Sequence, residues 1–378
     1  MRRGLVGALG AGLGLAALLA LSVYLQLDSA PATGPYAVGR TTRRWIDPAR
    51  PEPLTEAPGD FREVMAEIWY PAEAGTGLPA PYFPDLERLA PNLAASGEVS
   101  ALEVFGLRYI RSHSRLEARV AGRGRWPVVL LSPGNGTNVE FYAGLADDLA
   151  SHGYVVVGLN HPYDVAAVAR TDGQIAQFVP GPQALAEREP WVAERVAVRA
   201  ADALFVLKQL AALDAAPADS LAGRLDLDHA AIMGHSLGGL TAAQACRAEP
   251  RLRACLNLDG LQRGGPFSVQ PGAPPPDQAF MFITKEAALP AALRAQFEAV
   301  RAGSYRVVLT GARHDSFTDG PLLMPALLPI AGEAERLLAL TRTYCLAFFD
   351  QTLKDQPSPL LAGPRVTAEA ALEVFPAN

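Results

Sequence analysis

A series of short, almost uninterrupted apolar runs, separated by stretches with helical spacing, constrains the fold of this chain more than any other feature. Runs of this kind are typical of strands that are buried on both faces of a parallel sheet. Strands that alternate with helices predict an α/β fold with a mostly parallel, doubly wound sheet and helices on both faces. The predicted strands, after an early one at Arg62–Pro71, are Pro127–Ser132, Tyr154–Asn160, His229–Gly234, Ala254–Asp259, Ala279–Thr284 and Tyr305–Ala312. The predicted helices are Tyr142–Ser151, Trp191–Leu213, Leu237–Arg247, Pro290–Ala302 and Glu333–Leu353.

The N-terminal residues differ in composition from the rest of the chain. The stretch Gly4–Leu27 is apolar and follows Arg2 and Arg3. It is long enough to span a bilayer, which takes about 20 residues. We therefore expect residues 1–32 to be an uncleaved membrane anchor or, as the alternative, a cleaved secretory signal. In both cases the rest of the protein is exported, and an anchored form faces outward.

The remainder of the chain is expected to form one large domain behind a linker. Residues 33–60 are rich in proline and are interpreted as the linker. Residues 61–378 have a length that suits one domain of this class. Insertions are expected near residues 78–123 and 163–190, where the alternation of strands and helices is interrupted.

Charge, motifs and cysteine content argue against several classes of protein. The net charge is −6 without a long run of Lys or Arg, so we expect no nucleic-acid partner. H-E-x-x-H, Walker and strand-following G-x-G-x-x-G motifs are absent from the sequence, and we expect neither a metal nor another cofactor. The three cysteines, Cys246, Cys255 and Cys345, lack metal-ligand spacing. Cys246 and Cys255 could bridge a helix end to the next strand, although buried free thiols are the preferred interpretation.

The segment Ala230–Ala243 contains the pattern with the clearest chemical meaning. An apolar run ends at Met233, Gly-His-Ser-Leu-Gly-Gly follows, and a helical pattern begins at once. The glycines at 234 and 238 permit a sharp strand-to-helix turn, with Ser236 at its tip and its hydroxyl exposed. We therefore interpret Ser236 as a nucleophile rather than as a structural turn residue.

A serine hydroxyl needs a base to act as a nucleophile, and histidine has a suitable pKa near neutral pH. In this class of fold the nucleophile, the acid and the histidine follow each other in that order along the chain. Of the six histidines, His314 alone lies after Ser236, just beyond the predicted strand Tyr305–Ala312. We predict that His314 is the base, that His235 orients the turn, and that His161 lines the pocket.

The acid that fixes the tautomer of the base should lie at the end of a strand between Ser236 and His314. Asp259 closes its predicted strand and fits this position. Glu286 follows the next predicted strand and is the alternative. The other acidic residues considered in this interval lie in helical or loop patterns: Glu249, Asp277 and Glu298.

An oxyanion hole requires backbone N–H groups aimed at the developing negative charge. Leu237, the residue after the nucleophile, is expected to supply one of them. Asn135 is expected to supply the second, because a Gly-rich turn follows the predicted strand Pro127–Ser132. Gly134 and Gly136 would allow the close approach of the backbone that this role requires.

These motifs resemble those of the α/β-hydrolase superfamily and, within it, of the platelet-activating factor acetylhydrolase group. The resemblance covers about Arg62–Phe349 and rests on EIWYPA, SPGNGTN, LASHGYVVVGLNHPYD, IMGHSLGG, ACLNLDG and HDSF. In that group the acid ends the strand after the nucleophile helix and the histidine begins an H-x-x-F pattern, as Asp259 and His314 do. Pro133 departs from the group, which commonly has His at this position, and SPG is more similar to bacterial cutinases and polyester hydrolases. Those proteins place their acid after the next strand, near Glu286.

The resemblance implies an α/β-hydrolase fold and a cofactor-free serine carboxylic-ester hydrolase. Ser236, His314 and Asp259 would form its catalytic triad, and an acyl-enzyme its intermediate. Short-chain or lipid esters are the implied substrates, and the N-terminal segment would provide the contact with a membrane. A cutinase-like polyester hydrolase or a lipase is the alternative. A non-catalytic, membrane-anchored binding protein on a hydrolase scaffold is more remote.

Overall fold

A twelve-stranded sheet forms the centre of the molecule. The structure is a computed structural model that describes residues 28–377 except 56, 263–264 and 324–330. The strands are β1 (Ala37–Pro51), β2 (Phe61–Ala72), β3 (Leu78–Pro81), β4 (Arg111–Leu116), β5 (Trp126–Ser132), β6 (Val155–Asn160), β7 (Ala167–Ala169), β8 (Ile175–Gln177), β9 (Leu225–His235), β10 (Leu252–Leu258), β11 (Ala279–Thr284), β12 (Ser304–Leu309), β13 (Arg365–Val366) and β14 (Ala370–Phe375). Their order in the large sheet is β13-β14-β12-β11-β10-β9-β5-β6-β2-β1-β4-β3, and β7 and β8 form a separate hairpin.

The central part of the sheet is parallel and consists of β6, β5, β9, β10, β11 and β12 in this order. These strands coincide with the apolar runs between residues 127 and 312. The order reverses at β5, because β6 lies on one side of it and the later strands follow on the other. Ligands of such sheets bind outside the carboxyl ends of the strands at the point of reversal. In this protein that point lies where β5 and β9 end, at Ser132 and His235.

Helices cover both faces of the sheet. They are α1 (Leu86–Ala95), α2 (Ala101–Gly106), α3 (Ala143–Ser151), α4 (Leu185–Asp214), α5 (Leu237–Ala248), α6 (Ala291–Glu298), α7 (Gly320–Leu323) and α8 (Ala331–Leu353). Val129 of β5 shares a hydrophobic cluster with α3 and α8, whereas its neighbour Val128 shares the second cluster with α4 and α5. Successive side chains of a strand point to opposite faces, so each face carries its own helical layer. The predicted doubly wound α/β fold is confirmed.

Residues 33–60 are not a linker, and this prediction was wrong for most of the segment. Ala37–Pro51 is strand β1, which pairs antiparallel with β2. The Arg40 side chain is fully buried and forms an ion pair with Glu67 of β2 at 2.9 Å. A charge is tolerated in the interior when it is paired and hydrogen-bonded. Hydropathy does not indicate such a pair, because the two partners are on different strands.

The two expected insertions differ in structure. Residues 78–123 contain α1, α2, β3 and β4 and extend the sheet beyond β1. Residues 163–190 contain the β7–β8 hairpin and the first turns of α4. The first insertion contributes Glu98 and Val99, and the second contributes Arg188, to the cavities at the carboxyl ends of the parallel strands.

Residues 28–36 pack against the body of the domain. The buried Arg342 of α8 donates hydrogen bonds to the carbonyl oxygens of Ala30 and Pro31 at 3.0 and 2.9 Å. Nearby, the N–H of Gly34 donates to the hydroxyl of a serine in α3 at 2.9 Å. The boundary predicted at residue 32 was therefore wrong, because residues 28–32 pack as part of the α/β domain.

The predicted anchor or signal, with its apolar stretch Gly4–Leu27, lies outside the described residues. Among the helices that the structure does describe, none combines the length and the apolar character needed to cross a membrane. Any shortened form of the protein should keep Asp28 and the residues after it, because Asp28 forms an ion pair with Arg111 of β4 at 2.7 Å.

Cys246 and Cys255 form a disulfide, so the preference for free thiols was wrong. The bond joins the end of α5 to β10, and both residues are fully buried. Their Cα atoms lie 6.4 Å apart because the chain turns back directly after α5. Spacing along the sequence does not determine such a turn. Cys345 is a buried free thiol.

Candidate active site

The strand-to-helix turn at Ser236 is sharp. β9 ends one residue before Ser236, and α5 begins one residue after it. The φ and ψ angles of Ser236 are 54° and −119°, a strained conformation that costs about 1–3 kcal/mol in a non-glycine residue. A side chain at Gly234 would clash with the carbonyl oxygen of Gly238, and one at Gly238 would clash with the backbone of β5. The two glycines let α5 approach the strands closely. Ser236 therefore lies at the carboxyl ends of β5 and β9.

His314 lies between Ser236 and Asp259. Its Nε2 atom is 2.8 Å from the Oγ atom of Ser236, and its Nδ1 atom is 2.7 Å from a carboxylate oxygen of Asp259. Asp259 directly follows β10, and His314 begins a short 3-10 helix, His314–Phe317, after β12. The structure thus brings together the nucleophile, base and acid predicted from three separate parts of the sequence.

The surroundings of Asp259 favour its ionised form. The Thr284 hydroxyl donates to its second oxygen at 2.7 Å, and the Lys285 N–H donates to the same atom at 3.3 Å. Burial alone would raise the pKa of Asp259, but the hydrogen bonds from His314 and Thr284 outweigh burial and lower the pKa below its usual value. An ionised Asp259 accepts a hydrogen bond from the Nδ1–H of His314. The Nε2 atom is then free to accept a proton from Ser236.

Glu286, the alternative acid, lies elsewhere. It is exposed beyond the end of β11, and its carboxylate accepts a hydrogen bond from the N–H of Ala288 at 3.2 Å. The carboxylate that contacts His314 is that of Asp259. The geometry therefore favours the acid position of the acetylhydrolase group over that of the cutinase-like proteins.

Two backbone N–H groups are available beside Ser236. Leu237 occupies the first position of α5, where an N–H has no acceptor within the helix. In the loop after β5, the N–H groups of Gly134 and Gly136 donate to a tyrosine hydroxyl and to a backbone carbonyl at 2.9 and 2.8 Å. The N–H of Asn135, between them, has no such acceptor in the described part of the chain. Asn135 and Leu237 line one cavity together with Ser236, as an oxyanion hole requires.

Arg199 of α4 holds the loop after β5 from inside the protein. Its fully buried guanidinium donates to the carbonyl oxygens of Pro133 and Asp164 at 2.9 and 3.0 Å. Burial lowers the pKa of Arg199, and the negative charge of Asp164 opposes this effect. This role of Arg199 could not be predicted from the sequence, because one arginine within a long helical pattern does not indicate which loop it contacts.

Two other histidines lie close to this site. His161 was expected to line the pocket, but it is fully buried, and the expectation was wrong. Its Nδ1 atom is 2.8 Å from the carboxylate of Asp202, and its Nε2 atom is 3.0 Å from the hydroxyl of Ser132. His161 ends an apolar run, and its side chain points into the protein because Asp202 and Ser132 provide polar partners there. His235 is also buried, and its Nε2 atom lies 2.8 Å from the carbonyl oxygen of His314.

Two cavities meet at Ser236. The larger, of about 540 Å³, lies between the loop after β5, the α1–α2 segment and the loop of His314. The smaller, of about 260 Å³, includes the apolar side chains of Trp191, Leu240 and Leu261. Two cavities can separate the two substituents of a substrate whose reactive centre contacts Ser236.

Within residues 28–377, apart from those not described, no group of three or more His, Cys, Asp or Glu side chains could hold a metal ion.

Comparisons with known protein sequences point to one family. A family model described as platelet-activating factor acetylhydrolase, isoform II, matches residues 26–355. A probable 1-alkyl-2-acetylglycerophosphocholine esterase of Arthroderma benhamiae is 26% identical over 261 residues, which are 63% of this chain and 63% of that protein. A platelet-activating factor acetylhydrolase of Cavia porcellus is 23% identical over 218 residues, which are 51% of this chain and 49% of that protein. The aligned parts thus span less than two thirds of the length of these curated relatives.

A solved structure extends the comparison to the fold. The ferulic acid esterase from Streptomyces cinnamoneus is similar with a TM-score of 0.71 and 27% sequence identity, over 90% of this chain and 97% of the esterase chain. The α/β-hydrolase fold implied by the sequence is confirmed. Because the family model covers most of the chain, including Ser236, Asp259 and His314, the protein belongs to the platelet-activating factor acetylhydrolase, isoform II, family.

Proposed function

We propose that this protein is a serine carboxylic-ester hydrolase. The observation that carries the proposal is the continuous hydrogen-bonded line from Ser236 through His314 to Asp259, at the carboxyl ends of the parallel strands. In space the base lies between the nucleophile and the acid and contacts both, as acyl transfer requires. Family membership and the esterase neighbour support the same reaction.

In the proposed mechanism His314 accepts the proton of Ser236 while the Ser236 oxygen attacks the ester carbonyl. The N–H groups of Asn135 and Leu237 donate to the oxygen that becomes negative. Asp259 holds the ring of His314 and stabilises its positive charge. His314 then gives the proton to the departing alcohol, which leaves an acyl-enzyme on Ser236. Water, deprotonated by His314, attacks this ester, and the acid product departs as Ser236 regains its proton.

Short-chain esters, including acetyl esters of lipids, are the proposed substrates. A relative is named as a probable 1-alkyl-2-acetylglycerophosphocholine esterase, which removes a short acyl group according to that name. The smaller cavity, of about 260 Å³ with Trp191 and Leu240 in its wall, would take the acyl group. The larger cavity would take the alcohol part of the ester. The ferulic acid esterase neighbour makes an aromatic acyl group the second candidate.

We also propose that the protein is exported. The disulfide between Cys246 and Cys255 supports this location, because such bonds persist in oxidising compartments and are rare in the cytosol. Attachment to a membrane through Gly4–Leu27 stays a prediction from the sequence.

Turnover of p-nitrophenyl esters should be highest for acetyl to butyryl groups and fall by about tenfold or more at dodecanoyl. Forcing extra methylenes into a filled site costs about 1–3 kcal/mol, and about 1.4 kcal/mol is one factor of ten in rate. The protein to use begins at Asp28, since a start at Thr33 would remove the two carbonyl acceptors of Arg342. Steady-state kinetics with and without chelator provide the measurement.

Hydrolysis by the same protein with Ser236→Ala serves as the background. A maximum at long acyl chains would replace the proposal by a lipase, and a maximum at feruloyl esters by the second candidate. Loss of activity in chelator would contradict the mechanism itself, since it uses protein groups alone.

A further inference from the structure

Two buried polar side chains connect the loop after β5 to the backbone of His314. The Gly134 N–H donates to the Tyr142 hydroxyl oxygen at 2.9 Å, and that oxygen lies 2.8 Å from the Nδ1 atom of His235. The Nε2 atom of His235 lies 2.8 Å from the carbonyl oxygen of His314. Tyr142 is fully buried and His235 is 4% exposed. The reaction described above uses neither side chain.

These contacts form a second hydrogen-bonded line, which runs from Gly134 through Tyr142 and His235 to the backbone of His314. One arrangement of protons satisfies every contact in this line. The carbonyl oxygen of His314 can only accept, so the Nε2 atom of His235 carries a proton. Burial, together with the nearby His314, lowers the pKa of His235 to about 3, which keeps its ring neutral. The Nδ1 atom of His235 is therefore an acceptor for the Tyr142 O–H. The Tyr142 oxygen in turn accepts the Gly134 N–H, and no buried group in the line lacks a partner.

The line reaches all three loops that the reaction needs. Gly134 precedes Asn135, whose N–H is the proposed oxyanion donor, and His235 precedes Ser236. The far end is the backbone of His314, whose side chain is 51% exposed and is held only in part by the surrounding protein. A Cβ atom at Gly134 would lie 3.1 Å from the Nδ1 atom of His235, so the loop backbone is in close contact with the line.

We propose that Tyr142 and His235 are positioning residues, which fix the oxyanion loop and the backbone of His314 relative to Ser236. The inference rests on the proposed function. Neither residue transfers a proton in the reaction: Tyr142 is fully buried, and His235 reaches the wall of the larger cavity with only a small part of its surface. Their effect would arise from geometry, since a displacement of about 1 Å in a reacting group can cost about 100-fold in rate.

Tyr142→Phe tests the inference, because it removes one hydroxyl and leaves the ring in place. It deprives both the Gly134 N–H and the Nδ1 atom of His235 of their partner. We expect kcat per titrated active site to fall by about 10- to 100-fold and KM to change by less than about threefold. Tyr70→Phe is the matched control, because the fully buried Tyr70 donates to the carbonyl oxygen of Ala118 at 2.8 Å. Both variants should lose similar thermal stability, and only Tyr142→Phe should lose kcat.

Two further measurements separate positioning from folding. His235→Gln can still donate to the carbonyl oxygen of His314, so it should retain at least about fivefold more kcat than His235→Ala. Loss of rate in Tyr142→Phe should be larger for ethyl esters than for p-nitrophenyl esters, because an alkoxide needs the proton from His314 when it leaves and p-nitrophenolate does not.

The outcomes distinguish this inference from the function on which it rests. Wild-type protein without ester hydrolysis would overturn the proposed function and the inference with it. Active wild type, with Tyr142→Phe equal to it in kcat per titrated site, would overturn the inference alone. Equal losses of kcat in Tyr142→Phe and Tyr70→Phe would also overturn it, since they would reflect a general loss of structure.

Discussion

Ser236→Ala is expected to lower the kcat of ester hydrolysis by about 10⁴- to 10⁶-fold. The substitution removes the hydroxyl oxygen that lies 2.8 Å from the Nε2 atom of His314 at the carboxyl ends of the strands. No acyl-enzyme can form without it, and only the oxyanion donors and substrate binding remain to accelerate attack by water. The fold should persist, because the hydroxyl lies at the edge of a cavity and alanine is smaller than serine.

The measurement is steady-state turnover of p-nitrophenyl acetate with circular dichroism to verify folding. Ser304→Ala is the matched control: Ser304 is buried on β12, and its hydroxyl donates to the carbonyl oxygen of Phe297 at 2.9 Å, away from the site. This control should keep wild-type kcat. Retention of more than a few per cent of kcat by well-purified Ser236→Ala protein would exclude Ser236 as the nucleophile.

Asp259→Asn should lower kcat by about 10⁴-fold, while Glu286→Gln should leave it nearly unchanged. An amide in place of the carboxylate can no longer stabilise the imidazolium. It also favours the wrong tautomer of His314, because its NH₂ group would donate to Nδ1 and leave Nε2 protonated. Glu286 is exposed and accepts its hydrogen bond from Ala288, so its neutralisation leaves His314 untouched.

Both variants are measured in one series with the wild type, at a pH near neutrality. The pKa of Asp259 lies below its usual value, so the carboxylate is ionised under these conditions and the comparison reports on its charge. If the losses were reversed, with Glu286→Gln inactive and Asp259→Asn active, the cutinase-like arrangement and its polyester substrates would replace the present proposal.

The sequence predicts those parts of the molecule that depend on local pattern. Strand β5 and the second halves of β9 and β10 are nearly continuous apolar runs because both of their faces are buried, and this burial is visible in the sequence. The turn at Ser236 needs glycine on either side of it, which makes it recognisable at short range. The ends of the runs also mark the edge of the sheet, and this is why Asp259 could be selected over residues in helices and loops.

The parts that were predicted wrongly depend on contacts between distant residues. β1 is a strand because it pairs with β2 along most of its length, and its buried Arg40 is neutralised by Glu67 of β2. The polar residues of one segment do not reveal their partner in another. The Cys246–Cys255 bond requires the chain to turn back after α5. Arg199 and Tyr142 lie beneath the site on elements that look ordinary in sequence, and only their packing shows which loop they hold.

The central claim is that Ser236 carries the acyl group during turnover, and mass spectrometry of the quenched reaction tests it most directly. The protein that begins at Asp28 would be mixed with excess p-nitrophenyl acetate, quenched with acid within the first turnovers, digested and analysed. We predict one acetyl group on the peptide that contains Ser236, localised to that residue and absent from the Ser236→Ala protein. Rapid ester hydrolysis with an acetyl group trapped on a different residue that turnover requires would contradict the account.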